Sequence, residues 1–338
     1  MKNIKWLVLG LAWVALIASA SQGEKTPETE AQVPEFVPGV FSDNNQYQIS
    51  DFKGKLLVLF FYEKDCPRCR GMVPDRNAVV EHFRDAPVKF IAVGAGDTLK
   101  EVQAYANATH LAMPVFADSL SAMEARFGIH ISLNNISQFF AIGPDGGISR
   151  SDMSQQSIEQ ALKDVKWKFK DDGYDPKLAP AINLLEWNQW EAGMRLLRPF
   201  VKGSPSALTT SAQKLYDAVK VQGTQWKAEA DKLVADKPAA AFDLYVRIAN
   251  VFANDDLGKS VAEPLHKLRT SKAVTDELAA RQMYAQLCRG MAEVKSKNVQ
   301  EVTAFVQQIV RMYPGTPSAV KAKQFLNDLA TAAKTNNS

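Results

Sequence analysis

Two continuous apolar runs constrain the fold of this chain more than any other feature of its sequence. KLLVLFFY (residues 55–62) and VKFIAVGA (residues 88–95) consist mostly of strand-forming residues. Such runs are typical of buried strands in a sheet that is covered on both faces. Helical spacing follows the first run over residues 70–85 and the second over residues 98–108. The alternating order predicts an α/β domain.

A third segment extends this pattern. The letters QFFAIGPDGGISR predict a strand over residues 138–142, a turn at Gly-Pro-Asp-Gly-Gly, and a returning strand that completes a hairpin. Either Ser154 or Ser157 is placed to cap a last helix over residues 158–169.

After DDGYDP the strand patterns stop and amphipathic helices take over. Polar breaks written KGSP, ADKP, NDD and YPGTP separate helical segments of roughly 10–20 residues. Three stretches, which start at Trp190, Ala240 and Val302, each have the order helix, short break, helix. Their spacing is not constant, so no regular repeat is predicted. We expect an all-α domain of helical hairpins, TPR-like but degenerate, and such arrays usually hold partners.

The N-terminus has the pattern of a secretory signal peptide. Two lysines precede an apolar run over residues 6–17, and three small residues follow at 18–20. The pattern predicts a signal peptide over residues 1–20, cleaved after Ala20, and a periplasmic or secreted protein. An uncleaved membrane anchor stays an alternative, because the run is only somewhat shorter than the ~20 residues that a span prefers. Residues 21–35 are poor in bulky apolar groups and predict a flexible lead.

Composition agrees with two folded domains. The chain has 338 residues, 46% of them hydrophobic and 23% charged, which suits a folded protein of about two domains. We assign residues 36–170 to the α/β domain and residues 176–338 to the helical domain. The formal net charge of only +3 gives no indication of nucleic-acid binding.

A Cys-Pro-Arg-Cys pair, Cys66 to Cys69, follows the first apolar run. A closed zinc site needs four ligands, and the sequence has neither a second C-x-x-C pair nor a His-x₃-His motif. Copper held by the pair and a distant histidine is a weaker alternative, since the histidines are scattered. We therefore predict no metal and no cofactor. The pair remains open to two interpretations, a redox dithiol or a structural disulfide.

A redox dithiol makes a definite geometric demand that this spacing meets. The first cysteine must lie at the N-terminus of a helix and the second one turn later, within reach to resolve a mixed disulfide. Pro67 suits the first helical position. Arg68 and Arg70 add positive potential beside Cys66 and Cys69, while the aspartate directly before the first cysteine opposes it.

Residues 36–169 resemble the thioredoxin-like periplasmic disulfide oxidoreductases of the redoxin class, the group that includes the cytochrome c maturation thioredoxins. The matching features are the apolar strand, the letters CPRCR, Pro74 five residues after Cys69, the segment LAMPVFADSLSAMEARFGI and the run FFAIGPDGGI. The resemblance implies a thioredoxin-like fold with Cys66 as the nucleophile and Cys69 as the resolving thiol. It also implies a protein disulfide as substrate and a thiol protein as electron donor.

Three positions depart from the family pattern. Asp65 stands where the family usually has a tryptophan, and Met72 stands where many members have a buried glutamate that relays protons. Alignment on FFAIGPDG places Ile136 and Ser137 where a cis-proline normally faces the dithiol. A residue other than proline strongly disfavours the cis bond.

Two functions of different classes follow from these observations. The first is an exported thiol–disulfide oxidoreductase, with a partner protein on the helical domain. The alternative is a binding protein that keeps a structural disulfide and recruits its partner through the helices. Peroxide reduction is a minor option, since Glu63 replaces the threonine of the T-x-x-C signature. Cys288 is predicted to be a buried, inert thiol, with a mixed disulfide to Cys66 or to another chain as the sharper alternative.

Overall fold

The computed structural model describes residues 34–132, 135–136, 138–170 and 172–335. The predictions for the signal peptide, for residues 21–33 of the lead and for Ser137 fall outside these ranges. The described residues belong to one compact unit.

Five strands form one mixed sheet in the order β3-β2-β1-β4-β5. The strands are β1 (Leu56–Tyr62), β2 (Val88–Ala95), β3 (Val115–Asp118), β4 (Gln138–Ile142) and β5 (Ile148–Ser151). Strands β1, β2 and β3 run parallel, whereas β4 lies antiparallel to β1 and β5 antiparallel to β4. Every residue of the central strand β1 is buried, as its continuous apolar run predicts. The predicted thioredoxin-like α/β fold is confirmed.

Five helices accompany the sheet. They are α1 (Pro67–Gly71), α2 (Val73–His82), α3 (Leu99–Thr109), α4 (Ala122–Arg126) and α5 (Gln155–Ala161). The predicted last helix is wrong in its bounds: α5 starts earlier, where the Ser154 hydroxyl accepts the Ser157 N–H, and it ends at Ala161 instead of residue 169. The backbone N–H groups of Lys168, Phe169 and Lys170 all donate to the Glu186 carboxylate. This tertiary contact holds the segment in a non-helical conformation.

The rest of the described chain is all-helical, as predicted. Its helices are α6 (Ala179–Glu186), α7 (Trp190–Val201), α8 (Ala207–Leu233), α9 (Pro238–Val251), α10 (Asp256–Lys259), α11 (Ala262–Arg269), α12 (Lys272–Gly290), α13 (Val299–Met312) and α14 (Pro317–Thr335). None of the helices in the described ranges is long and apolar enough to cross a membrane.

The two faces of the sheet have different covers. On one face the even-numbered residues of β1 pack with Cys66, Cys69 and side chains of α2, α3 and α5. On the other face the odd-numbered residues of β1 pack with α4 and with side chains of α12, α13 and α14, among them Val306 and Phe325. Helices α6 to α9 surround a separate core. The boundary that we place between residues 170 and 176 stays a prediction.

Two buried ion pairs join the helical region to the sheet. Lys55, directly before β1, contacts Glu186 of α6 with 2.6 Å between Nζ and Oε2. Arg126 of α4 contacts Asp328 of α14 through both Nε and Nη2. Because each pair is almost completely removed from solvent, loss of one partner would leave the other charge buried without its counter-ion.

Candidate active site

The cysteine pair lies at the carboxyl end of β1, where the chain enters α1. Cys66 is the N-cap residue of α1 and Pro67 is its first residue. The Cys66 Sγ accepts the backbone N–H of Cys69 at 3.4 Å, so the two cysteines stand one helical turn apart. Cys66 is 3% exposed and Cys69 is fully buried. The local geometry is the one that the sequence spacing predicts.

Ile136 approaches the second cysteine from the loop before β4. Its carbonyl oxygen accepts the Cys69 S–H at 3.3 Å, and its side chain packs in the same apolar cluster as both cysteines. The structure therefore places Ile136 beside the dithiol, as the resemblance implies. Its neighbour Ser137 lies outside the described residues, so the peptide bond at the expected cis-proline position is not described.

The helix after the dithiol is broken between Gly71 and Val73. Pro74, the second residue of α2, has no backbone N–H and cannot continue the hydrogen-bond ladder of α1. Met72 lies at the break and is packed against the dithiol cluster. An apolar side chain therefore occupies the position where the resemblance leads us to expect an acid.

Arg70, one of the two arginines next to the dithiol, contacts a neighbouring loop and a neighbouring helix through its side chain. The Arg70 Nε donates to the Lys64 carbonyl oxygen at 3.0 Å, and its guanidinium lies 5.7 Å from the centre of the Tyr105 ring. The Arg68 side chain is exposed. Arg70 thus connects α1 to the loop after β1 and to α3.

A buried aspartate next to this loop was not among the site residues predicted from the sequence. Asp97 follows β2 and is fully buried, and its Oδ1 lies 2.5 Å from the Lys64 Nζ. Burial raises the pKa of Asp97 to about 6, although the Lys64 ammonium acts in the opposite direction. Its other oxygen, Oδ2, has no hydrogen-bond partner among the described residues. The sequence could have indicated this contact. Lys64 follows β1 and Asp97 follows β2, and the carboxyl ends of neighbouring parallel strands meet at one edge of the sheet.

Two tyrosines that belong to the same apolar cluster as the dithiol stack on each other. The rings of Tyr62, at the end of β1, and Tyr105, in α3, have centroids 4.3 Å apart. Neither hydroxyl has a hydrogen-bond partner within the part of the chain that the structure describes, and both are buried. Burial raises the pKa of both tyrosines. The negative charge of Asp97 adds to the shift at Tyr62, and the electrostatic influence of Cys69 adds to the shift at Tyr105.

The third cysteine lies in α12, apart from the Cys66 and Cys69 pair in sequence. Cys288 is partly buried, and burial raises its pKa above the ordinary value, which lowers its thiolate fraction. A mixed disulfide through Cys288 stays a prediction. Within the described ranges no three histidine, cysteine, aspartate or glutamate side chains are grouped to hold a metal ion.

Comparison with known proteins relates the sheet region to redoxins. The AhpC/TSA family profile matches residues 23–151. The thiol-disulfide oxidoreductase ResA of Geobacillus thermodenitrificans is 23% identical over 147 residues, which cover 42% of this chain and 82% of that protein. This region is thus an AhpC/TSA-type thioredoxin-like redoxin domain related to ResA-type oxidoreductases, and a helical region follows it.

Solved structures are similar over the same part of the chain. A thiol:disulfide interchange protein of Chlorobium tepidum is 22% identical with a TM-score of 0.32, covering 39% of this chain and 94% of that structure. Peroxiredoxin Q of Xanthomonas campestris is 23% identical with a TM-score of 0.33, covering 40% of this chain and 98% of that structure.

Proposed function

We propose that this protein is a thiol–disulfide oxidoreductase that reduces or exchanges disulfides in partner proteins through Cys66 and Cys69. The observation that carries the proposal is the position of Cys66 at the cap of α1, with its sulfur accepting the Cys69 N–H. Backbone N–H donors at a helix start favour negative charge on sulfur, and the thiolate is the reactive form. The relationship of residues 23–151 to ResA-type oxidoreductases supports the same chemistry.

The reaction has two exchange steps. In the first, the Cys66 thiolate attacks one sulfur of a substrate disulfide, forms a mixed disulfide with it, and releases the other sulfur as a thiolate that takes up a proton. In the second, Cys69 loses its proton and attacks the Cys66 sulfur. A Cys66–Cys69 disulfide forms and the substrate leaves as a dithiol. Two electrons from a donor thiol protein then restore the reduced pair.

The Ile136 carbonyl oxygen can act before the second exchange step, while Cys69 is still a thiol. It accepts the Cys69 S–H, so it orients the resolving thiol while that thiol is still protonated. A carbonyl oxygen cannot donate a hydrogen bond to a thiolate, so the interaction is lost when Cys69 is deprotonated. Ile136 therefore takes part by positioning Cys69.

Export and partner binding belong to the same proposal. The lysine, apolar and small-residue pattern of residues 1–20 supports transfer out of the cytoplasm, either with cleavage or as a membrane anchor. The hairpins of the helical region, which pack on the redoxin domain, support a role in holding the protein partner.

The test combines a redox titration with trapping. Equilibrium of the Cys66–Cys69 pair with glutathione, read by the mass of alkylated protein, is expected to give a potential between about −120 and −270 mV. Cys69→Ser is expected to accumulate mixed disulfides with partner proteins, and Cys66→Ser is expected to form none. Cys288→Ser is the matched control and should behave like the unaltered protein.

A binding protein with a structural disulfide is the second candidate. The burial of Cys66, which is only 3% exposed, favours it, because a nucleophile must be reached by its substrate. A potential below about −300 mV together with no trapped partner would support this candidate and reject the oxidoreductase. Hydrogen peroxide consumption, measured on the same samples, would reveal a peroxidase.

A further inference from the structure

A cleft lies between the start of the sheet and the helical region, at the opposite end of β1 from the dithiol. Its volume is about 760 Å³, within the range of roughly 300–1,000 Å³ that is usual for ligand sites. Lys55, directly before β1, lies in one wall, whereas Cys66 follows the end of that strand. Because β1 has seven residues and rises about 3.3 Å per residue, the two places are on the order of 20 Å apart. A small ligand in this cleft would therefore not touch the dithiol.

Positive charge predominates on the walls of the cleft. Five cationic side chains and three carboxylates line it, which gives an excess of two positive charges. Lys55 and Glu186 neutralise each other, and the Glu186 oxygens also accept three backbone N–H groups. The other four cations form no ion pair with an acid in the part of the chain that the structure describes. They are Lys53, Lys166, Lys168 and Arg247, and we call the surface that they line the basic cleft.

Two of these cations are held on tryptophan rings. The Lys168 Nζ lies 5.5 Å from the centre of the Trp190 ring and donates a hydrogen bond to the Gln222 side-chain oxygen. The Arg247 guanidinium lies 5.3 Å from the centre of the Trp226 ring. The two rings are buried and pack edge to face, with their centroids 4.9 Å apart. Side chains that are already ordered lose less entropy when a ligand binds, so these two cations are prepared to receive an anion.

Lys168 carries its charge in an unfavourable setting within the basic cleft. Partial burial lowers the pKa of its ammonium group, the Glu186 carboxylate opposes this effect, and the charge of Lys55 lowers the pKa further, so that it lies below its ordinary value. A carboxylate brought to the Lys168 Nζ would offset both the lost hydration and the repulsion from Lys55. This lysine therefore gains more from an anionic ligand than a fully solvated lysine does.

The other lining groups favour an acidic peptide over a polyphosphate. Arginine and lysine bind carboxylates and phosphates alike, so the cations alone do not decide between them. Asp51 and Glu229 also line the cleft, and they would repel a densely charged polyanion. The side-chain amides of Asn188 and Gln222 match the N–H and C=O groups of a peptide backbone. A peptide with spaced acidic residues suits this mixed lining.

We propose that the basic cleft binds an acidic, extended segment of the partner protein, with two of its carboxylates at Lys168 and Arg247. The inference rests on the partner-binding part of the proposed function, and it names the surface and the chemistry that bind. A partner that occupies the cleft and the dithiol together must carry its acidic segment at least about six extended residues from its disulfide, because the two places are on the order of 20 Å apart. The cleft thus selects partners by charge and by spacing.

Fluorescence anisotropy tests the proposal on the full-length protein. The probe is a fluorescein-labelled peptide of ten residues that alternates glutamate and serine, and the control peptide has glutamine in place of glutamate. The unaltered protein should bind the acidic probe saturably, and the Kd should rise as NaCl is raised from about 50 to about 500 mM, because salt screens exposed charges. The glutamine peptide should not bind.

Variants of the two ordered cations show whether the probe lies in the basic cleft. Lys168→Gln combined with Arg247→Gln should raise the Kd of the acidic probe about 100-fold, tenfold for each charge-assisted contact that is lost. Arg247→Gln alone should raise it about tenfold, and it answers the question even where a change at Lys168 disturbs packing on Trp190. The matched control, Lys163→Gln with Arg195→Gln, removes the same charge from exposed positions outside the cleft and should leave the Kd unchanged.

Charge reversal gives the sharpest outcome. Lys168→Glu combined with Arg247→Glu should abolish binding of the acidic probe and create saturable binding of a peptide that alternates lysine and serine. The proposal is overturned by an acidic probe that does not bind, or by a Kd that is the same in Arg247→Gln, in the double variants and in the unaltered protein. Inorganic triphosphate that displaces the probe at a lower concentration than the unlabelled acidic peptide would overturn the peptide as ligand.

The glutathione equilibrium of the Cys66–Cys69 pair in the unaltered protein distinguishes failure of the cleft from failure of the oxidoreductase. If the pair has the potential of an oxidoreductase and the acidic probe does not bind, the oxidoreductase stands and the cleft proposal fails. If the probe binds and the pair has the potential of a structural disulfide, the oxidoreductase fails and the basic cleft is the partner site of a binding protein.

Discussion

The two faces of the sheet treat their buried polar groups in opposite ways. On the face that α12, α13 and α14 cover, the Asp118 carboxylate accepts the N–H groups of Met123 and Glu124, and Arg126 pairs with Asp328. On the dithiol face, by contrast, Asp97 keeps an oxygen for which the described residues supply no partner, and the two stacked hydroxyls are unsatisfied as well. The first face supplies hydrogen-bond or ion-pair partners to these groups, whereas the other retains polar groups that cost stability beside the thiols.

The largest expected effect is on the face that the late helices cover. Phe325 of α14 is fully buried against the sheet, so Phe325→Ala should lower the free energy of unfolding by about 4 kcal/mol. Urea unfolding followed by circular dichroism measures it. Because the core is shared, we expect a single transition and unchanged thiol exchange in the folded protein.

The matched control is Val320→Ala, in the same helix but 58% exposed, which should change the unfolding free energy little. Two separate transitions for Phe325→Ala, with the dithiol domain unfolding at its original urea concentration, would show that the faces are not coupled.

A smaller loss should follow when the buried ion pair is broken. Asp328→Asn leaves the Arg126 guanidinium buried without its counter-charge and should cost about 3 kcal/mol in unfolding free energy. The double variant Arg126→Met, Asp328→Leu should recover most of this loss, since apolar packing replaces the pair. If the double variant is as unstable as Asp328→Asn, apolar packing cannot replace the ion pair, and the stability of this contact depends on charge.

A change in pH should affect the same face through Asp118. Burial, and next the charge of Glu124, raise the pKa of Asp118 to about 7, while the unfolded chain has an ordinary value near 3.8. Between these values the folded state holds a proton that the unfolded state has lost. The contribution of Asp118 to the unfolding free energy therefore falls as the pH rises from 4 to 7.

Asp118→Asn should reduce this fall by roughly 1–2 kcal/mol between pH 5 and pH 8, since about 1.4 kcal/mol corresponds to one pKa unit and Glu124 compensates in part. Thermal unfolding at matched pH values measures the slope for both proteins. Parallel slopes would mean that Asp118 titrates normally in the folded protein.

The smallest effect should have the opposite sign. Tyr62→Phe removes a buried hydroxyl that has no hydrogen-bond partner among the described residues, so the unfolding free energy should rise by about 1 kcal/mol. A gain of stability would sharpen the contrast between the faces, while a loss of stability would show that the hydroxyl is satisfied in the protein.

Local patterns predicted much of the fold. The segment 138–142 predicted β4 within its observed bounds, and the position of Pro67 after Cys66 predicted the start of α1. These features depend on neighbours in the sequence, such as the missing N–H of proline and a continuous apolar run. The end of α5 could not be predicted, because Glu186 captures the backbone of residues 168–170 from a distant helix.

For the candidate site, too, the sequence predicted the local features and missed the contacts between distant segments. The spacing of Cys66 and Cys69 is a local signal, whereas the approach of Lys64 to Asp97 joins the ends of two different strands. The amphipathic pattern of α14 shows that one side is buried but does not show which surface it meets. Long-range partners of this kind follow from the topology of the sheet, and the topology was not predicted strand by strand.

The cover that α14 supplies has a consequence for synthesis. The ribosome makes β1 and the dithiol long before it makes Phe325, so one apolar face of the sheet stays bare in the nascent chain until the late helices emerge. Contacts between such distant segments form slowly, and exposed apolar surface invites aggregation in the meantime. Chaperones that hold apolar chain segments should therefore associate with ribosome-bound fragments that end before α12, and release fragments that include α14.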